Sequence, residues 1–456
     1  MITTLLLLAL QARPGGPGEF RGELRDKQGP LMRVNMWAPS KPVAPAPRTL
    51  SLLIVYHGMN GNEGNYYGGT LDCLRRLKVE EQVVMIAGKS KGAGWTVDDD
   101  GPLTLRMIDW AKETWPIDPR RIYIWGSSNG AGFIGKFGWA NQDKIAAAVG
   151  YCGGYNFQAN PKPENPADTR TEWYFVHGGA DNPQNSGNAC KALGALGYRY
   201  VFRQLDGYGH TDIWDGGGHP DKVLVDACRD DYLQWLLAIR HKSIEPPQKD
   251  VDYLAKFDAS ESALGNKAAY LQLQRIGGPQ AGAVILKALQ SKSAGIRANG
   301  AEACLTTSFG APVAVELARL VEDENDRVQQ TALRALGVYA NWHYPEAIDA
   351  LCRVAAAPVS DGKKISGLAR MLAVEGLAKA MKLAAFGNFE DKKAWWALVG
   401  ALDDDDVKVR STAFAALQAV QKDGFGYQPG AVPDARKAAV AKWTAWVQGK
   451  CGPPEK

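Results

Sequence analysis

The chain has no long block of lysine and arginine, and its 456 residues carry a net charge of only +4. Nothing in it supports nucleic-acid binding. Cysteine is sparse: Cys73, Cys152, Cys190, Cys228, Cys304, Cys352 and Cys451 are scattered, and none has the paired C-x-x-C spacing of a structural metal knuckle. A scaffold built on disulfides is excluded, although one or two bridges would suit an exported protein, and the odd count leaves at least one thiol unpaired within the chain. No metal, nucleotide or flavin motif appears, so no cofactor is required. The first apolar run, Met1 to Ala12, falls far short of the ~18 apolar residues that a membrane-spanning helix needs.

That run ends in a small residue and is followed by Arg13-Pro14-Gly15-Gly16-Pro17-Gly18. It resembles a short secretory signal, although no Lys or Arg precedes it and Leu10 stands where a small residue is preferred. Residues 1–18 are therefore expected to be signal peptide and linker, and the protein secreted or periplasmic. No cysteine lies near the cleavage point, which argues against a lipid anchor. With 45% hydrophobic and 22% charged residues, the remainder has an ordinary globular composition and room for two or three domains.

The stretch that organises the rest is Arg121 to Gly132. The apolar run Ile122-Tyr123-Ile124-Trp125 passes directly into Gly126-Ser127-Ser128-Asn129-Gly130 and then into a helical pattern at Phe133 to Phe137. Strand, sharp turn and helix with a serine at the tip is the nucleophile-elbow arrangement. The hydroxyl must stand clear of the sheet to meet a base and a substrate, and small flanking residues let helix and strand approach closely. The N–H of the following residue, Asn129, is then aimed where an oxyanion would form. The same pattern also occurs as a plain glycine-rich βα turn, so its context decides.

Around it, Glu19 to Arg25 and Leu31 to Ala38 read as a hairpin, followed by a proline-rich connector from Pro39 to Pro47. Leu50 to Tyr56, Gln82 to Ala87, Ile145 to Tyr151, Trp173 to His177 and Arg199 to Leu205 read as further strands. Helices are expected at Leu71–Val79, Leu103–Thr114 and Asp221–Arg240. This alternation predicts a mainly parallel sheet covered on both faces, with reactive groups gathered at the carboxyl ends of the strands.

The partners of Ser128 should follow later strands in the order acid, then histidine. Asp181 ends His177-Gly178-Gly179-Ala180-Asp181, just past one strand, and His210 ends Asp206-Gly207-Tyr208-Gly209-His210, past the next. The second oxyanion donor is expected at the N–H of Met59, in the loop His57-Gly58-Met59-Asn60-Gly61. Rivals are His219 as base and Asp206, Asp212 and Asp215 as acids. His57, which precedes the nucleophile, reads as structural, as do His177 and His241, while His343 falls in another domain. Trp95, Trp125 and Trp214 are either pocket-lining or buried packing residues.

Four segments together carry a resemblance: Tyr56 to Gly61, Ile117 to Gly132, His177 to Asp181 and Gly207 to Trp214. Over residues about 20 to 240 the chain resembles an α/β-hydrolase of the branch that contains poly(3-hydroxybutyrate) depolymerase-like, feruloyl and acetylxylan esterases. The resemblance implies an α/β-hydrolase fold and a catalytic Ser128, Asp181 and His210. The chain departs from the branch at Gly130-Ala131-Gly132, where Gly-Gly is usual, and at Asn182-Pro183 after Asp181. Neither departure removes a reacting group.

After His241 to Asp250, a polar linker with prolines, the texture turns to alanine- and leucine-rich helical periodicity. Val409 to Leu417, Ala369 to Leu377, Val328 to Leu336 and Ile296 to Cys304 fall on one template. A preceding helix repeats too, with Ile285, Leu317 and Leu398 equivalent, and acidic turns at Asp323 to Asp326 and Asp403 to Asp406 join two of the pairs. The pattern predicts an all-α solenoid and resembles HEAT repeats. The expected layout is a hydrolase domain at 19–241, a linker at 242–250 and helical repeats at 251–448.

The function expected is hydrolysis of a carboxylic ester, either a polyester or an acyl or feruloyl ester linked to a polysaccharide. A small-molecule or polysaccharide-linked ester would be the substrate, and the helical repeats would receive any protein partner. Alternatives are a non-catalytic scaffold that binds through the solenoid, and a serine peptidase, which is disfavoured because no propeller or other substrate-sorting domain precedes the hydrolase.

Overall fold

Eight strands form one sheet in the order β1-β2-β4-β3-β5-β6-β7-β8. The computed structural model describes residues 16–39, 50–155, 157, 170–212, 222–259, 261–356, 365–382 and 392–454. Residues 1–15 of the signal-like run, most of the proline-rich connector, and Trp214, Asp215 and His219 lie outside these. Contacts divide the chain into two compact units, Met1–Pro247 and Gln248–Lys456.

In the first unit β1 (Gly18–Asp26) and β2 (Gly29–Ala38) form the expected hairpin at one edge. β2 runs antiparallel to β4 (Val83–Gly88), and all later neighbours are parallel: β3 (Leu50–Tyr56), β5 (Ile117–Ser127), β6 (Ala147–Tyr151), β7 (Glu172–Gly178) and β8 (Tyr200–Leu205). The continuous apolar run of β3 is buried at every position, as a strand covered on both faces requires. Successive side chains point to opposite faces. Ile122 and Ile124 join one core with Trp173 and Phe175, while their neighbours Trp125 and Tyr174 meet Tyr232 on the other face.

The helices between strands are α1 (Tyr67–Arg76), α2 (Val97–Thr114), α3 (Asn129–Ala140) and α4 (Gln184–Ala195), and α5 (Lys222–Ala238) follows β8. Met107 and Ile108 of α2, Phe133 and Phe137 of α3 and Leu193 of α4 share the Ile124 core. α1 and α5 pack against each other, and α5 carries Tyr232 and Trp235 onto the Trp125 face. The sheet order and the helices on both faces fit the α/β-hydrolase architecture expected from the sequence. α2 begins six residues before the expected Leu103, because Thr96 caps it by accepting the Asp99 N–H, and Pro102 sits inside it. Among the described residues no disulfide joins any of the seven cysteines, unlike the one or two bridges that would suit an exported protein.

The second unit contains, in order, α6 (Gln248–Ala259), α7 (Lys267–Ile276), α8 (Gly278–Leu289), α9 (Ala294–Ala303), α10 (Ala311–Arg319), α11 (Asp326–Asn341), α12 (Pro345–Ala355), α13 (Gly367–Lys382), α14 (Lys392–Gly400), α15 (Val407–Val420) and α16 (Pro433–Cys451). α6 starts inside the stretch read as linker. From α8 onward the helices alternate between two layers, α8, α10, α12, α14 and α16 in one and α9, α11, α13 and α15 in the other, each touching its neighbour in the row. Arg297 of α9 donates twice to Asp323, which precedes α11, at 2.8 and 3.0 Å. Arg370 of α13 does the same to Asp404, before α15, at 2.7 and 2.8 Å. These bidentate pairs are nearly buried and link each helix pair to the next.

Candidate active site

The carboxyl ends of β5, β6, β7 and β8 lie level, since Ser127 pairs with Tyr151, Tyr151 with Val176, and Val176 with Arg203. The residues that leave this rim are Ser128, Cys152, the 178–181 turn and the 206–210 turn. Three of these four exits carry the expected chemistry.

Ser128 occupies the corner between β5 and α3 at φ 52°, ψ −114°, a strained conformation for a residue with a side chain. Close approach forces the two flanking glycines. A Cβ at Gly126 would lie 2.4 Å from the Gly130 carbonyl oxygen, and one at Gly130 would lie 2.6 Å from that of Tyr56. The Ser128 N–H donates to the Tyr151 carbonyl at 2.8 Å, which ties the corner to β6. Asn129 is the first residue of the helix, so its N–H has no acceptor within the helix and faces outward.

Nδ1 of His210 lies 2.7 Å from Oδ2 of Asp181. That is the orientation an acid needs to hold an imidazole with its other nitrogen free for a hydroxyl. Among the described residues no hydrogen bond joins His210 to Ser128. Unliganded sites often leave this contact open, and it tightens when substrate arrives.

His177, read from the sequence as structural, meets the same carboxylate. Its buried ring places Nε2 2.9 Å from Asp181 Oδ2, and its Nδ1 lies 2.7 Å from Ser186 Oγ. Ser186 Oγ donates in turn to the Gly153 carbonyl at 2.7 Å. Gly153 backs onto the elbow, where a Cβ would lie 2.7 Å from the Ser128 carbonyl oxygen. A chain of contacts thus runs from His210 through Asp181, His177 and Ser186 to the segment behind the serine. Burial works against ionisation of Asp181, but its bonds to His210 and His177 hold the carboxyl below the usual range. Burial pushes the His177 imidazole down, against the pull of Asp181. The signal for this second ring was its place at the end of β7, four residues before the acid.

The loop after β3 lies against the serine: a Cβ at Gly58 would stand 3.4 Å from Ser128 Cβ. Its turn is closed by the Gly61 N–H on the Gly58 carbonyl at 3.1 Å, and Asn60, at φ 58°, donates its N–H to Ala93 at 2.6 Å. Met59 sits between them with its side chain 57% exposed. A further role for Asn129 was not legible: its Oδ1 accepts the Trp95 N–H at 2.6 Å. The 91–96 loop is fixed from below by the buried Asp100, which accepts the N–H groups of Lys91 and Thr96 at 2.9 and 2.8 Å.

No protein-family model and no curated protein matches the chain. Solved structures do. The fluorophosphonate-binding serine hydrolase F of Staphylococcus aureus is 16% identical over 49% of this chain and 99% of its own, with a TM-score of 0.39. Est1E from Butyrivibrio proteoclasticus is 18% identical over 48% and 99%, with a TM-score of 0.34. An acetyl xylan esterase from Aspergillus awamori is 17% identical over 39% and 89%, with a TM-score of 0.31.

The other described candidates have different partners. His57 donates Nδ1–H to the Gly58 carbonyl at 2.6 Å and accepts the Ser90 N–H on Nε2 at 3.1 Å, which makes it a buried neutral clamp. Asp206 accepts from Gln204, and Asp212 accepts the Gly209 N–H at 2.5 Å, which shapes the turn that carries His210. His241 holds the Gln142 carbonyl. Trp95 and Trp125 are buried packing residues rather than pocket walls: Trp95 meets Tyr56 and Phe133, and Trp125 meets Tyr66.

Proposed function

We propose that the chain is a serine ester hydrolase that works through Ser128, His210 and Asp181. The observation that carries this reading is the 2.7 Å bond from Asp181 to His210 Nδ1, on the same sheet rim as a serine held in a strained corner. His210 takes the Ser128 proton as Oγ attacks the ester carbonyl, then delivers it to the departing alcohol oxygen, leaving an acyl-serine. Water, deprotonated by the same ring, attacks the acyl carbon, and the serine leaves with that proton as the acid is released. The N–H groups of Met59 and Asn129 hold the oxyanion in both halves.

The exposed Met59, next in the chain to the Gly58 that faces Ser128, suits an apolar acyl group, in keeping with a polyester or an acyl or feruloyl ester of a polysaccharide. The apolar run Met1 to Ala12 suits export. The second unit is read as a HEAT-like solenoid, supported by its two helix rows and by the equivalent Arg297–Asp323 and Arg370–Asp404 pairs.

Labelling by a fluorophosphonate probe tests the reading: the parent chain should label, and Ser128→Ala should not. Turnover of p-nitrophenyl acetate should fall on the order of 10⁴ to 10⁶-fold in that variant. Labelling that survives the substitution would mean a different nucleophile. Rates on feruloyl and acetyl-sugar esters then separate the substrate classes.

A further inference from the structure

Cys152 follows β6 at φ 45°, an uncommon conformation for a residue with a side chain, and takes no part in the chemistry described above. Its Sγ, a ring nitrogen of His177 and a carboxylate oxygen of Asp181 all lie within 4.8 Å of one another. We propose that these three side chains form a binding site for a thiophilic divalent cation of the zinc class, and that filling it suspends ester hydrolysis by taking Asp181 from His210.

The independent pointer is the tautomer of His177. A carbonyl only accepts, so the 2.7 Å contact between Ser186 Oγ and the Gly153 carbonyl uses the one hydroxyl proton of Ser186. Ser186 therefore accepts from His177, and Nδ1 of the ring is the donor. Nε2 of the same ring faces Asp181 Oδ2 at 2.9 Å, so a cation taking the place of the Nε2 proton finds imidazole and carboxylate already side by side, with Nδ1 still held by Ser186.

The rest of the arrangement matches the chemistry of a metal site. A ligating histidine has its other N–H held by an outer partner, here Ser186 backed by Gly153. The Gly178 N–H points at Cys152 Sγ at 3.4 Å, a contact that favours a thiolate. Thiolate, imidazole and carboxylate together suit Zn²⁺. Zinc–ligand bonds of about 2.0 to 2.3 Å put neighbouring ligand atoms roughly 3.3 to 3.8 Å apart, so side-chain adjustment of about an ångström closes the set. The buried thiol gives its proton to solvent as the metal–sulfur bond forms. Access is from the Asp181 side, where the carboxylate is partly exposed. Water completes the coordination.

Inhibition rests on the proposed esterase reading, whereas binding does not. The probe for binding is Co²⁺ added to the full chain, which gives a near-ultraviolet thiolate-to-cobalt band and visible bands of tetrahedral cobalt. The band is expected in the parent and in Ser128→Ala, and lost in Cys152→Ser. No thiolate band at millimolar Co²⁺, or a band that survives Cys152→Ser, overturns the site. With p-nitrophenyl acetate as substrate, Zn²⁺ should inhibit the parent reversibly on addition of a chelator. Cys152→Ser should need at least about tenfold more metal. A Cys152-dependent cobalt band with unaltered hydrolysis overturns the coupling. A band in a chain that hydrolyses no ester and takes no fluorophosphonate sinks the esterase reading and leaves the metal site standing.

Discussion

Asp181 serves two imidazoles through one oxygen, at 2.7 Å to His210 and 2.9 Å to His177. If the inner ring sets the angle at which the carboxylate meets the outer one, His177→Leu should lower kcat about ten- to a hundredfold, the value of one hydrogen bond to a charged group, with little change in KM. His177→Gln, which can still offer an N–H to the carboxylate, should recover most of the loss in the same steady-state assay. Equal loss in both variants would instead indicate a packing role. At the elbow the constraint is steric: a Cβ at Gly130 meets two backbone carbonyls, of Tyr56 and His57, at 2.6 and 2.7 Å, and neither can swing aside as a side chain would. Gly130→Ala is therefore expected to lower stability by about 1–3 kcal/mol, read by denaturant titration, and to abolish fluorophosphonate labelling as the corner shifts.

Among the elements, β7 carries a buried charge whose fate is set by pH. Burial opposes ionisation of Glu172, but the charges of Arg199 and Lys242 prevail and bring its carboxyl to about 2, from an ordinary 4.5. The folded-state value is the lower one, so the contribution is fully present above pH 4.5 and is lost as pH falls toward 2. From that shift it amounts to about 3 kcal/mol at neutral pH. Urea unfolding at pH 6 and pH 3 should show the parent losing more stability than Glu172→Gln. In the second unit, Asp404→Asn leaves the nearly buried Arg370 without its charge partner and should cost about 3–5 kcal/mol of that unit's stability.

The same elements show what the sequence made legible. β1 and β2 were readable as a hairpin about the Asp26–Pro30 turn, and the other strands by apolar runs that are sharply bounded, as in Leu50–Tyr56 and Glu172–Gly178. α4 was not, since Gln184–Ala195 has few large apolar residues to mark a face. The start of α2 was hidden by Pro102, which reads as a boundary although the cap lies at Thr96. Asp181 and His210 were singled out by their order after the strands, and the structure places them 2.7 Å apart. That Asp181 bonds a second ring was not legible, because no one-dimensional spacing tells which nitrogen faces which oxygen once β7 ends.

For the whole molecule, the division at Pro247 and Gln248 leaves the entire strand rim and both oxyanion candidates in the first unit. A chain ending at Pro247 is expected to fold and to take a fluorophosphonate on Ser128, and scanning calorimetry of the full chain should resolve two transitions. A single transition, together with an unlabelled fragment, would show that the two units depend on each other.

Each of the proposed reacting groups hangs from the end of a different buried strand, and the connections that leave β5 and β7 run through α3 and α4. The number of residues separating nucleophile, acid and base is therefore free to drift: a duplication or deletion within a face helix changes the spelling of the gene without displacing a reacting atom. Descendants of this chain should keep short islands of likeness at the strand tips and diverge in length everywhere between them.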